Sequence, residues 1–154
     1  MKKEIISLLG EVSGVQVSEQ DAMGFLFKNL RMLLTNVNMY LNDNLGIVLS
    51  EVEKDMLMNM SVQEFIGFLR RKIKERDMQT IADSLRSVGA VKPSTYVDAG
   101  DHICDFLDLE NAEQVANFLQ AIEKKFDIKP SEKETADFLK MSLSELADCV
   151  SKIK

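Results

Sequence analysis

LGIVLSEVEKDMLMNMSVQEFIGFLRRKI (residues 45–73) and FDIKPSEKETADFLKMSLSELADCVSKIK (residues 126–154) align without a gap when the chain is slid by 81 residues. Seven of the 29 positions are identical: Ile47/Ile128, Ser50/Ser131, Glu51/Glu132, Glu53/Glu134, Met60/Met141, Ser61/Ser142 and Glu64/Glu145. Average residue usage would give about two. Apolar character is also kept at Leu45/Phe126, Leu57/Phe138, Val62/Leu143, Phe65/Leu146 and Leu69/Val150. The pattern reads as a duplication, so a fold assigned to one half is expected of the other.

Each half reads as helix alone. Ile5, Ile6, Leu8, Leu9 and Val12 form a helical stripe over residues 3–13 that stops near Gly14. A longer helix is expected over 25–44, with Leu30, Leu33, Leu34, Val37 and Leu41 on one face. Ser50 with Glu53, and Ser61 with Glu64, carry the serine-to-glutamate spacing of a capping box, in which each residue's side chain accepts the other's backbone N–H. Ser131 with Glu134, and Ser142 with Glu145, repeat it. Two long helices, a short one and a final one per half make a small four-helix bundle. Between Ser61 and Val88 there is no proline and only Gly67. Apolar residues recur there at 62, 65, 66, 69 and 73, then at 78, 81, 82, 85 and 88. The expectation is an all-α protein of two four-helix bundles, residues 1–75 and 76–154, joined by a nearly continuous helix over about 61–88. At 1.5 Å per residue that helix spans roughly 40 Å, a stiff connector.

Composition excludes several classes. Apolar residues make up 45% and charged residues 29%, a globular rather than a disordered balance. The net charge is −6, and it sits unevenly. Residues 1–75 hold nine Lys/Arg against ten Asp/Glu, and residues 76–154 hold ten against fifteen. Such acidity disfavours nucleic acid and anionic membrane as partners and favours basic-surfaced proteins. Cys104 and Cys149 make no disulfide framework, and no run approaches the roughly 20 apolar residues of a membrane span. Glu4 and Glu11 interrupt the start, so no signal peptide is expected and a cytoplasmic setting is.

DFLDLENAEQVANFLQAIEKKFDIKPSEKETADFLKMSLSELADCVSKI (residues 105–153) resembles an acyl carrier protein from its second helix onward. The likeness rests on AIEKKFDIKPSE followed by MSLSELADCV, which match that family's end of helix II, its loop and its last helix. Residues 3–73 resemble a more diverged copy. In that family a serine in Asp-Ser-Leu opens helix II, fourteen residues before the aromatic of the turn, and carries phosphopantetheine. The helix N-terminus suits the phosphodiester, because its dipole and free N–H groups favour an anion. The resemblance puts Ala112 at that position in the second copy and Arg31 in the first, and neither carries a hydroxyl. The chain does contain Asp83-Ser84-Leu85, but apolar Met78, Ile81, Leu85 and Val88 put Ser84 inside a helix. Pro93 also prevents a helix II from following it. No cofactor is expected.

Further candidates have both a structural and a functional reading. Asp105, Asp108, Glu110 and Glu113 crowd the start of the second helix II. There they stabilise a helix N-terminus, or offer the acidic surface that basic patches on partner enzymes grip in the family resembled. Met32, Met39 and Tyr40 form a second apolar stripe on the first helix II, with Phe25 and Phe27 upstream. It would pack the repeats together, or serve as a docking or self-association surface. His102, Cys104 and Asp105 group in DHICD, but residues two apart do not face each other on a helix, and zinc lacks ligands there. Arg70, Arg71, Lys72, Lys74 and Arg76 read as a solvated helix face before an anion site.

The expected role is a non-enzymatic interaction module: a carrier mimic, adaptor or regulatory subunit without catalytic, cofactor or metal residues. Its partner would be basic-surfaced, a biosynthetic enzyme being one such, with self-association also open. The rivals are a working carrier modified at another serine and an enzyme using Cys104 and His102.

Overall fold

The structure, a computed structural model, describes residues 1–26 and 30–153, with the side chains of residues 30–34 and 153 outside that description. Helix is the only regular secondary structure among the described residues, and β-type pairing there is limited to two isolated bridges. The chain divides into two compact units, Met1–Ile73 and Lys74–Lys154.

In the first unit α1 (Lys2–Ser13) ends on Gly14, whose left-handed φ of 73° turns its N–H onto the Gly10 carbonyl. A loop leads to the single turn α2 (Met23–Leu26) and then to α3 (Leu30–Tyr40). The latter runs into a π-helical turn, Leu41–Leu45, closed by left-handed Gly46. The short α4 (Glu51–Leu57) and the start of α5 (Val62–Ser87) complete the unit. Ile5 and Leu9 of α1, Met23, Leu41, Leu57 and Phe65 meet in its core. Burial of each such side chain contributes about 1.5–3 kcal/mol. Of the helix expected over 25–44, Leu30–Tyr40 is α-helical and Leu41–Leu45 changes pitch, while residues 27–29 lie outside the described residues. A π turn closes i→i+5 bonds and holds more residues per turn, but over one turn the spacing of four from Val37 to Leu41 to Leu45 does not register it.

The second unit begins within α5, whose Ile81 and Leu85 face a separate core. Gly89, with φ 78°, lies just past the helix end. A 3-10 turn, Ile103–Asp105, precedes α6 (Ala112–Phe126), α7 (Glu132–Phe138) and α8 (Leu143–Ile153). Phe118, Ile122, Phe126, Phe138, Leu146 and Val150 fill this core with the α5 residues.

The two units make the same hydrogen bonds at matching places. Ser50 and Glu53 form a reciprocal box, at 3.1 Å from Ser50 N–H to the carboxylate and 3.2 Å from Glu53 N–H to the hydroxyl. Ser131 and Glu134 repeat it at 3.1 and 3.2 Å. At the heads of α5 and α8, Glu64 N–H donates to Ser61 Oγ and Glu145 N–H to Ser142 Oγ, each at 3.1 Å. The return bonds are long, 3.5 and 3.4 Å. Unpaired N–H groups at those helix starts find carbonyls in the preceding loops. Val62 and Gln63 donate to Asp21 and Glu19, and Leu143 and Ser144 donate to Asp101 and Ala99. Asp21 itself accepts from Ser18 N–H, and Asp101 from Asp98 N–H, both at 2.8 Å. These loop pairs lie 80 residues apart, whereas the later helices match at 81.

Candidate functional site

The entrance to α6 gathers most of the sequence-selected residues. Ile103 and Leu107 are buried and pin the segment to the core, while the polar residues between them remain exposed. Asp105 accepts a bond from His102 N–H at 3.2 Å, closing the 3-10 turn. Asp108 accepts from Glu110 N–H at 3.1 Å, and Asn111 Oδ1 accepts from Gln114 N–H at 3.1 Å. Side chains that satisfy nearby backbone groups in this way favour turns over helix. Hence α6 starts at Ala112, and of the four acids only Glu113 lies in its first turn. Asp105, Asp108, Glu110 and Glu113 are nonetheless all exposed.

Gln114, which carries no charge to mark it in the sequence, fixes this loop. Its Oε1 accepts from Asp108 N–H at 3.0 Å, and its Nε2 donates to the Val88 carbonyl at 3.3 Å. One side chain thus ties the loop to the end of α5. Asn111 was legible as a helix cap, since Asn is among the preferred residues just before a helix. Ala112 occupies the first helical position with its methyl exposed. The amide end of α6 therefore carries an amide side chain and a methyl, with no alcohol.

Ser84 is fully buried, and its hydroxyl donates to the Thr80 carbonyl at 2.9 Å inside α5. It cannot meet a macromolecular transferase without unfolding that helix. Cys104 is exposed, and His102 Nδ1 lies 4.0 Å from Asp105 Oδ2, beyond hydrogen-bond reach. Cys149 is half-buried on α8. Burial pushes its thiol pKa up, and the charges of Glu134 and Asp137 add to that against Lys152. Among the described residues no group of three or more His, Cys, Asp or Glu is disposed to hold a metal ion.

The apolar candidates of the first unit separate. Met39 is 59% exposed, whereas Tyr40 packs against the core and lines an open groove of about 450 Å³ with Lys3, Glu4, Ser7, Leu8 and Glu11. Phe25 is exposed. The side chains of Arg31 and Met32, and all of Phe27, lie outside the described residues. Three of the five residues of the basic run make separate contacts. Lys72 pairs with Glu53 at 2.6 Å, Lys74 with Asp148 at 3.1 Å and Arg76 with Asp77 at 3.0 Å. The Lys72 bond holds the Glu53 carboxyl below the usual glutamate value, against the opposing effect of partial burial.

No helix among the described residues is long and apolar enough to cross a membrane. No protein-family model, curated protein or solved structure matches the chain.

Proposed function

We propose that the chain is a non-enzymatic protein-interaction module, a carrier mimic, adaptor or regulatory subunit. It comprises two acyl-carrier-like four-helix units joined by a stiff helix, and it has no prosthetic arm. The observation that carries this reading is the head of α6, where Ala112 stands exposed at the first helical position and Asn111 fills the cap. A swinging arm needs an alcohol there. Recurrence of the same caps and loop bonds at spacings of 80 and 81 residues supports two copies of one unit. The exposed Asp105, Asp108, Glu110 and Glu113 present negative charge to a basic-surfaced partner, and exposed Met39 offers the first unit an apolar contact of its own. The setting that suits this role is cytoplasmic.

Incubation of the purified chain with coenzyme A and a phosphopantetheinyl transferase should leave its intact mass unchanged. A gain of one arm, mapped to any serine, overturns the reading in favour of a working carrier. Retention of partners from native lysate should fall when Glu110 and Glu113 are both changed to Lys. Equal retention by both proteins would remove the acids from the mechanism.

A further inference from the structure

The two short helices α4 and α7 stand at equivalent places, with equal length and the same reciprocal caps, yet their outer faces differ. On α4 the outer face is apolar: Val52 is 69% exposed and Met56, one turn later, 47%. Val48, two residues ahead of the cap, is 71% exposed. The residues 81 positions on are Lys133, Asp137 and Lys129. The fold thus accepts charge at all three positions, so apolar exposure in the first unit is no requirement of the architecture. Leu57 and its counterpart Phe138 lie on the opposite side and are both buried, as a core position demands.

Glu51 and Asp55 form a second ridge at i and i+4, turned about 100° from the Val52 and Met56 ridge by helix geometry. Both are exposed, and the Glu51 side chain remains 88% exposed even while it accepts a bond from Lys54. An apolar ridge alongside an acidic ridge is complementary to a helix with an apolar stripe flanked by Lys or Arg. A second copy of this chain fits worse, since it would bring a second Glu51/Asp55 pair to the same contact.

We infer that the outer face of α4, Val52 and Met56 beside Glu51 and Asp55, docks a cationic amphipathic helix of another protein. The inference rests on these residues alone and stands whether or not the acyl-carrier-like reading does. The apolar area amounts to a few hundred Å², short of the roughly 800 Å² per partner of a stable complex. Binding is therefore weak and transient.

The test uses the full chain, ¹⁵N-labelled, titrated with a synthetic 18-residue Leu/Lys amphipathic helix. Shift changes are expected to centre on residues 48–57. The variant V48K/V52K/M56D installs the second unit's own residues at exposed sites, so the fold is retained. It should weaken binding about tenfold. The pair Glu51→Gln and Asp55→Asn should lower affinity at low salt and flatten its salt dependence. Unchanged affinity in V48K/V52K/M56D overturns the inference, as do shifts centred on residues 105–113. Concentration-dependent dimerisation of the wild type that this variant abolishes overturns it too, by making a second copy the occupant.

Discussion

Four serines open four helices in this chain, and the strength of each cap depends on what else its backbone must do. Ser50 and Ser131 close reciprocal boxes, whereas Ser61 and Ser142 also sit in short bridges to Ala22 and His102. Their return bonds are correspondingly longer. Ser50→Ala and Ser131→Ala should each cost about 1 kcal/mol, read as a lower urea midpoint of the unit concerned. Glu53 adds a pH dependence. Its folded pKa lies below the ordinary 4.5 because Lys72 donates to it, so its stabilisation is present above about pH 4.5. That contribution fades as pH falls through the lower folded value. Glu53→Gln should therefore flatten the acid side of the first unit's stability profile, and an unaltered profile would show that the Lys72 contact is absent in solution. The cysteines give a third residue-scale outcome. Exposed Cys104 should be alkylated well before Cys149, whose thiol is half-buried and shifted upward. Mass spectrometry of a partial reaction reads the order directly.

At the scale of elements, the loop before each unit's second helix matters as much as the helices. Asp21 and Asp101 fold their loops so that backbone carbonyls meet the free N–H groups of α5 and α8. Close approach imposes one further constraint. A Cβ on Gly24 would lie 2.8 Å from the Met58 carbonyl oxygen, so α2 can pass the end of α4 only as glycine. Gly24→Ala should lower the melting temperature of the first unit. Unchanged melting would mean that α2 shifts freely. The matching residue 80 positions on is Cys104, so the second unit does not share this restriction. Here the sequence was only partly readable. The serine-to-glutamate spacings announced all four caps, but a gapless comparison at 81 hid the loop pair Asp21/Asp101, which lies at 80. Allowing one gap would have recovered it. The π turn after Tyr40 was not announced, because Val37, Leu41 and Leu45 keep an apolar spacing of four through it.

At the scale of the full chain, the described residues form two cores rather than one. Phe65 belongs to the first and Phe138 to the second, each almost fully buried. Truncation of either to Ala should cost about 3–5 kcal/mol. Hydrogen exchange should then show the largest loss of protection within the unit that carries the change. The linear order of residues already showed that the chain is helical, which residues cap its helices and which apolar positions recur, because period and cap chemistry are local properties. It also determined that no alcohol stands fourteen residues before Phe126. Folding in three dimensions was needed to show that α6 begins after the acid-rich loop, that Gln114 ties this loop to Val88, and that Val52 and Met56 face outward. Those outcomes depend on which backbone groups and side chains meet across the bundle, and the linear pattern does not encode such meetings.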